Sequence, residues 1–270
     1  MKLTTVGDVM VDVISERLPA AGERAHGSVR LRAGGSAVNA ALTAAELGAE
    51  AQVVGRIGAD AAGDLVVAMV EAKGVAASLA RDAELPTGTT IALNDAVVAD
   101  RGANARLAPD DVPATLSGDA LLVSGFALFQ DGSRDGARAA LDRFDGPWAA
   151  VDLASPRLAA NGNLGVQRAN VVFATAEEAA AATGLALEEA AHELAHHFDV
   201  VCVKLGAEGA LAVRGDQVDR AAAEPVQRVS PFGAGDAFAA AFLVGLCSGD
   251  GVADTLVHAC EAGARAAGSA

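Results

Sequence analysis

Short runs of β-branched residues alternate along this chain with longer alanine-rich segments, and this alternation is the strongest constraint on its fold. The runs have the length of buried strands, and the segments between them repeat apolar residues with a helical period. The pattern predicts an α/β fold, in which a mostly parallel central sheet carries helices on both faces. Predicted strands cover residues 3–10, 51–57, 120–126, 149–153, 170–174 and 200–206, and predicted helices cover 36–47, 61–73, 133–144, 176–183, 187–198 and 234–247.

Two stretches depart from this alternation and lack a helical crossover. Residues 15–33 are polar with a short strand near 27–32, and residues 87–108 contain two runs that alternate as a β-hairpin does. We expect both stretches to form a small antiparallel β flap beside the main sheet. No linker or fixed-period repeat divides the sequence, so a single domain over residues 1–270 is predicted, with the flap as its lid.

The acidic balance of the chain narrows its partners. A net charge of −15 repels phosphate backbones, so nucleic acid is not expected as a partner. An anionic cosubstrate would need backbone N–H groups or a metal ion to offset the charge. The longest apolar run, near residues 237–247, is too short to span a bilayer, so no membrane association is expected.

The three cysteines are scattered and form no Cys-x-x-Cys pair. This pattern predicts reduced thiols and a cytoplasmic protein. Cys202 lies in an apolar strand pattern, which favours burial over reactivity.

The segment "VSPFGAGDAF" (229–238) places two glycines and an acid at the start of a helical pattern. Gly233 and Gly235 let the backbone approach a ligand closely, and the first N–H groups of the helix, from Ala234 onward, have no partners inside it. With the helix dipole they can bind an anion such as a transferring phosphoryl group. Asp236 beside that anion is suited to take a proton from an attacking hydroxyl. The alternative is a tight turn followed by an ordinary first-turn acid.

A second pair of glycines precedes another predicted helix. Gly34 and Gly35 permit close approach of a substrate, and Asn39, in the first turn, offers an amide to substrate hydroxyls. Asp12 follows the first predicted strand, at the edge where open α/β sheets bind ligands. An ordinary loop-to-helix junction and a solvated turn acid are the alternatives for these residues.

The segment "HELAH" (192–196) matches the His-Glu-x-x-His pattern of zinc peptidases. On a helix, Leu187, Leu194 and Phe198 share one apolar face, and His192 and His196 point away from it. We therefore expect these histidines to lie in solvent. Phosphate loops ending in Gly-Lys-Ser/Thr and serine elbows of the Gly-x-Ser-x-Gly type are absent from the sequence.

These motifs occur together in an order that resembles one family. The segments "GGSAVNAALTAAELGAEAQVVGRIGADAAGD" (34–64) and "FGAGDAFAAAFLVGL" (232–246) resemble the two signatures of ribokinase-like, or PfkB-type, carbohydrate kinases. The segment "VVFATAEEAAAATG" (171–184) resembles the Asn-x-x-Glu segment of that family, and "VVCVKLGAEGALAV" (200–213) resembles its nucleotide-binding strand and turn. The resemblance covers nearly the whole chain and implies a ribokinase-like three-layer sandwich with a small β-sheet lid.

The resemblance implies transfer of the γ-phosphoryl group of ATP to a hydroxyl, usually of a sugar. It implies roles for residues at matching positions: a base at Asp236, an anion hole at Gly233, Ala234 and Gly235, and sugar contacts at Asp12, Gly34, Gly35 and Asn39. It further implies nucleotide contacts at Lys204, Gly206 and Gly209, and a Mg²⁺ site, through water, at Glu178.

The chain departs from the family pattern at two places. Ser230, Pro231 and Phe232 stand where the family usually has Asp-Thr-Thr or a similar run. The aspartate of that run is a typical ligand of an activating potassium ion, so we expect potassium to stimulate this protein little. Thr175 replaces the asparagine that precedes the family's glutamate, which weakens the inference of a magnesium site.

We therefore expect a sugar kinase that uses ATP and Mg²⁺ and acts on ribose, fructose, 2-keto-3-deoxygluconate or a similar carbohydrate. The alternatives are a nucleoside kinase of the same fold and a ligand-binding protein that has lost turnover. The lack of tyrosine weighs against an aromatic nucleoside pocket, and the presence of Asp236 weighs against lost turnover. The exposed edge of a flap can pair with a second copy, so a homodimer through the lid is also predicted.

Overall fold

The computed structural model describes residues 1–15, 22–24, 26–93, 96–161, 168–226 and 233–268. These residues form two β-sheets, one of nine strands and one of four, and α-helices cover both faces of the larger sheet. The strands are β1 Lys2–Val6, β2 Met10–Ser15, β3 Val29–Gly34, β4 Glu50–Gly58, β5 Ala76–Asp82, β6 Gly88–Leu93, β7 Ala96–Asp100, β8 Ala120–Ser124, β9 Trp148–Asp152, β10 Val171–Thr175, β11 Val200–Lys204, β12 Ala210–Arg214 and β13 Gln217–Ala221. The helices are α1 Ser36–Glu46, α2 Ala61–Glu71, α3 Gly125–Leu128, α4 Arg134–Arg143, α5 Pro156–Asn161, α6 Ala176–Thr183, α7 Leu187–Ala195, α8 Ala234–Ser248 and α9 Val252–Gly268.

The large sheet has the strand order β13-β12-β11-β10-β9-β8-β1-β4-β5. Every neighbouring pair from β11 to β5 is parallel. The two strands at the other edge, β12 and β13, run antiparallel to their neighbours. Because parallel strands align their carboxyl ends, residues that end β9, β10 and β11 meet at one edge of the sheet.

Two apolar layers enclose the large sheet. The side chains of α1, α2, α8 and α9 pack on one face, and those of α3 to α7 pack on the other. Strand residues alternate between the layers: Phe173 belongs to the first and Val172 to the second. Phe173 meets Phe242 of α8 edge to face, with ring centroids 5.7 Å apart. The predicted three-layer α/β sandwich is therefore confirmed.

The first predicted strand, residues 3–10, is wrong as a single element. β1 ends at Val6 in the large sheet, and the chain enters the small sheet at Met10. Between them, the side-chain amide of Asn104 accepts the Val9 N–H at 2.8 Å and donates to the Val9 carbonyl at 2.9 Å. The Val9 N–H and carbonyl are therefore bonded to a side chain and do not pair with a neighbouring strand, so the large-sheet strand does not extend through this residue.

The small sheet has the strand order β3-β2-β6-β7. It is mixed and not antiparallel as expected, because β2 and β6 pair in parallel. The predicted segment bounds also change: β2 is added, and residues 102–106 form a 3₁₀ turn outside the sheet. Residues 16–21 and 25 of the first predicted segment lie outside the described residues.

Candidate active site

Helix α8 begins at the Gly-Ala-Gly-Asp motif. Gly233 adopts a left-handed φ of +78°, which residues with a Cβ rarely adopt, and turns the chain into the helix. The first backbone bond of the helix joins the Ala237 N–H to the Gly233 carbonyl at 2.8 Å. No described side chain caps this end. The N–H groups of Ala234, Gly235 and Asp236 therefore point to a site where an anion can bind.

The Asp236 carboxyl lies beside the first turns of α1. Nδ2 of Asn39 donates a hydrogen bond to Oδ2 of Asp236 at 2.9 Å. Burial is the main cause that raises the pKa of Asp236, to about 6. The Asp152 and Asp12 carboxylates act in the same direction, and the Asn39 hydrogen bond and the Lys204 ammonium oppose it. A carboxyl with this pKa is suited to accept a proton near neutral pH.

Asp12 was predicted to follow the first strand of the large sheet. It lies instead within β2 of the small sheet. Its side chain is 2% exposed, and Nε of Arg32 donates to Oδ2 at 3.0 Å. Burial raises the pKa of Asp12 despite this partner. The backbone of Gly34 lies directly against the Asp12 side chain, since a Cβ on Gly34 would lie 2.2 Å from Oδ2 of Asp12. Gly35 precedes α1, and a Cβ on it would lie 2.2 Å from the Asp8 carbonyl oxygen.

A cavity of about 530 Å³ opens beside the N-terminus of α8. Its size is typical of a small-molecule site. Lys204, Gly206 and Gly209 line it from the end of β11 and the turn that follows, and Ala234 and Gly235 line it from α8. The rest of the described wall is formed by residues 223–226, by Cys260, Gly263, Ala264 and Ala267 of α9, and by Thr175, Ala207 and Phe238. The residues expected to contact nucleotide thus share one cavity with Ala234 and Gly235 of the expected anion hole.

Glu178 is buried at the start of α6. Its Oε2 accepts the Thr175 N–H at 2.8 Å, and the Thr175 hydroxyl accepts the Glu178 N–H at 3.2 Å, so the two form a capping box. Burial raises the pKa of Glu178, and the Asp152 carboxylate adds to this effect. Thr175, which replaces the family's asparagine, therefore has a structural role as the N-cap of α6.

One carboxylate of the site, Asp152, was not identified from the sequence. Asp152 is the last residue of β9, and its Oδ2 accepts a hydrogen bond from Nζ of Lys204 at 2.6 Å. Burial is the main cause of the raised pKa of both Asp236 and Glu178, and the Asp152 carboxylate raises both further. The available signal was an acid at the carboxyl end of a predicted parallel strand, where such sheets bind ligands.

Three further predictions concern the His-Glu-x-x-His segment, Cys202 and potassium. His192 and His196 are exposed, and Leu194 and Phe198 are buried, so the expected orientation of α7 is confirmed. Cys202 is buried and unpaired, as expected. Ser230, Pro231 and Phe232, which carry the expectation about potassium, lie outside the described residues.

The described helices include none with the length and apolarity that crossing a bilayer requires.

The same arrangement of motifs is recognised by a family model. The model described as "pfkB family carbohydrate kinase" matches residues 1–270. The chain belongs to the pfkB family of carbohydrate kinases. This kinase therefore uses ATP to phosphorylate a sugar.

Relatives and solved structures agree with the assignment. The kinase is 29% identical over 255 residues to a 5-dehydro-2-deoxygluconokinase of Bacillus velezensis, covering 83% of this chain and 76% of the relative. It is similar to fructokinase of Vibrio cholerae O395, solved with fructose, ADP and calcium, at 25% identity and a TM-score of 0.83, covering 98% and 92% of the two chains. It is also similar to adenosine kinase of Sinorhizobium meliloti, at 25% identity and a TM-score of 0.83, covering 97% and 92%.

Proposed function

We propose that this kinase transfers the γ-phosphoryl group of ATP to a hydroxyl of a small keto sugar acid, with Asp236 as the base. The observation that carries the proposal is the hydrogen bond between Asn39 and Asp236 at the N-terminus of α8. It brings an expected sugar contact, the expected base and the expected anion hole together. The cavity lined by Lys204 lies at the same helix terminus and is suited to nucleotide.

The transfer moves one proton from the acceptor hydroxyl to Asp236 and one phosphoryl group from ATP to the acceptor oxygen. The carboxylate accepts the proton of the acceptor hydroxyl, that oxygen forms a bond to the γ-phosphorus, and the bond between this phosphorus and the β-phosphate oxygen breaks, which releases ADP. Phosphoryl transfer depends mainly on positioning and charge stabilisation. The N–H groups of residues 234–236 and the Lys204 ammonium supply positive charge where the transferred group passes.

Glu178 is the residue proposed to help hold Mg²⁺. Mg²⁺ prefers oxygen ligands and usually keeps several waters beside one or two protein carboxylates and the substrate phosphates. Among the described residues, no three acidic, histidine or cysteine side chains group into a direct cage. A single buried carboxylate such as Glu178 fits a cation held through water, and the bound cation would neutralise phosphate charge.

The four-stranded sheet is proposed to be the lid of the acceptor site. It carries Asp12 on β2 and Arg32 on β3, directly opposite each other in the register of the two strands. Closure of this sheet would exclude water, which otherwise competes as the acceptor.

A keto sugar acid is favoured as the acceptor by two observations. The Bacillus velezensis relative named above is a 5-dehydro-2-deoxygluconokinase. The Arg32 guanidinium, ion-paired with Asp12 and 35% exposed, is a cationic group on the proposed acceptor side of a strongly acidic chain. A guanidinium matches a carboxylate in geometry as well as charge.

The proposal is tested by ADP release with ATP and Mg²⁺ on 5-dehydro-2-deoxygluconate, 2-keto-3-deoxygluconate, fructose, ribose and adenosine. We expect kcat/KM to be highest for a keto acid, by about tenfold or more over the uncharged sugars. Arg32→Lys keeps a positive partner for the buried Asp12 carboxylate but removes the planar fork that matches a carboxylate, so it should lower kcat/KM for the keto acids more than for fructose. A preference for adenosine would instead support the nucleoside kinase alternative, and turnover of none of the acceptors would contradict the proposed function.

A further inference from the structure

Lys204 is bound by a carboxylate that belongs to a strand two places away in the sheet. Nζ of Lys204 donates to Oδ2 of Asp152 at 2.6 Å, with side chains 13% and 17% exposed. Strand β10 lies between β9, which ends at Asp152, and β11, which ends at Lys204. The pair therefore spans the carboxyl edge of the sheet. A short charge-assisted hydrogen bond between poorly exposed groups fixes the position of the ammonium more firmly than a surface ion pair would.

The carboxylate of Asp152 is itself held by the backbone that follows it. Its Oδ1 accepts the Ala154 N–H at 2.9 Å. Ala154 has a left-handed φ of +67°, and in the described part of the chain it is the one residue other than glycine with positive φ. Such a conformation costs about 1–3 kcal/mol and is found mainly at functional sites. The strained turn keeps the second oxygen of Asp152 directed at Lys204.

The ammonium held in this way lies against the start of α8. A Cβ on Gly235 would be 3.2 Å from Nζ of Lys204. The charge of Asp236, the next residue, is close enough to raise the pKa of Lys204. Without a fixed partner, the ammonium would be attracted to the Asp236 carboxylate, which would occupy the base that the reaction needs.

We propose that Asp152 is a positioning residue for phosphoryl transfer, which holds the Lys204 ammonium at the N-terminus of α8 and away from Asp236. The inference rests on the proposed function, because that function places the transferred phosphoryl group at this helix terminus. Asp152 acts through Lys204 and does not touch the reacting atoms.

The charges around Asp236 determine how its titration responds to a change at Asp152. Asp152 on β9 and Asp12 on β2 raise the pKa of Asp236, and Lys204 on β11 lowers it. Replacing Asp152 by asparagine removes one negative neighbour and releases the ammonium, and both changes lower the pKa of Asp236. The base then stays ionised to a lower pH, so the acid limb of activity moves to lower pH.

The experiment compares Asp152→Asn with a control variant, Asp64→Asn. The control removes one charge from an exposed ion pair between Asp64 on α2 and Arg81 on β5. We expect Asp152→Asn to lower kcat by about 10–100-fold. The dissociation constant of ADP should change by less than about threefold, because the ammonium is at the phosphoryl end of the cavity. The acid limb of kcat/KM, expected near pH 6 for the wild type from the pKa of Asp236, should move to lower pH. Asp64→Asn should change none of these quantities.

Two further measurements separate positioning from a general loss of structure. If Asp152 acts through Lys204, adding Asp152→Asn to the Lys204→Met variant should not lower kcat further. The double variant also contains no unpaired ammonium, so it remains a valid test where Asp152→Asn alone folds poorly. The chain has three lysines, so NMR of ¹³Cε-labelled lysine can follow each ammonium. Asp152 and Glu178 raise the pKa of Lys204 against the effect of burial. Asp152→Asn should lower that pKa and leave those of Lys2 and Lys73 unchanged.

The outcomes distinguish this inference from the proposed function. A wild-type protein that phosphorylates no acceptor contradicts the proposed function, and the NMR titration still decides whether Asp152 holds Lys204. An active wild type with wild-type kcat and an unmoved acid limb in Asp152→Asn overturns the inference alone. Additive losses in the Lys204→Met background would overturn it as well.

Discussion

Asp236 must be ionised before it can accept a proton, and its surroundings oppose that ionisation. The Asn39 amide bonds the carboxylate, but burial and the carboxylates of Asp152 and Asp12 outweigh this bond and raise the pKa to about 6. The folded protein therefore favours the protonated acid more than the unfolded chain does. This loss of stability is a consequence of placing a base among other acids at a site for anionic phosphates.

Asp236→Asn is predicted to lower activity and raise stability together. Loss of the base should lower kcat by about 10²–10⁴-fold. Above the folded pKa of about 6, the wild type carries the full cost of ionising this carboxyl, and below the unfolded pKa it carries none. At about pH 8 the variant should gain about 1–2 kcal/mol, or about 2–6 °C in Tm, and the gain should vanish near pH 4. Thermal unfolding at both pH values and steady-state kinetics measure these effects. Turnover close to wild type would contradict the role of Asp236 as the base.

The elements that position the site differ in how clearly the sequence encodes them. All six predicted helices are present, and each begins within one residue of its predicted start. Asp60 marks the start of α2, since its Oδ1 accepts the Gly63 N–H at 2.8 Å. Gly48 and Gly74 adopt left-handed φ where α1 and α2 end. Signals of this kind are local, so a sequence shows them.

Elements defined by contacts distant in sequence were missed. β1 and β2 are separated by three residues, and the Asn104 amide that bonds both backbone groups of Val9 between them is distant in sequence. β5 and β13 were not predicted, because these edge strands carry polar, exposed residues and lack the buried apolar pattern. β12, a buried strand between β11 and β13, was also missed. Asp152 was missed for a related reason: its partner Lys204 is brought to it by sheet order, which the sequence pattern does not state.

Gly34→Ala is predicted to disrupt the pairing of β2 and β3 at the acceptor site. The new Cβ would lie 2.2 Å from Oδ2 of Asp12, and that buried side chain is held by Arg32, so it cannot move aside freely. We expect the KM of the sugar acceptor to rise about tenfold or more, with the KM of ATP changed by less than about threefold. Gly251→Ala is the matched control, since its Cβ would meet only one atom, at 3.9 Å. An unchanged acceptor KM would show that Asp12 does not position the sugar.

At the scale of the whole molecule, the small sheet has two unlike faces. Asp12, Arg32 and Thr90 share one face, by the register of β2 with β3 and β6. Leu31, Val13, Ile91 and Val98 form a row across the opposite face. Three of these apolar side chains are exposed: Leu31 by 51%, Ile91 by 41% and Val98 by 68%. The four strands carry two arginines and two acids, so this sheet is near neutral although the chain has a net charge of −15.

We predict that two copies of the chain associate through this apolar row. The small sheet is near neutral, so two such faces can meet without the charge repulsion expected between other parts of so acidic a chain. We expect the wild type to sediment as a dimer at micromolar concentration and Leu31→Glu/Val98→Glu to sediment as a monomer with an unchanged Tm. Val257→Glu, at a comparably exposed apolar residue of α9, should leave the dimer intact. If the dimer holds the small sheet near its closed position, the double variant should also show a raised acceptor KM at low protein concentration. A wild type that is monomeric at every concentration, or a dimer that survives both charges, would show that this face is not the interface.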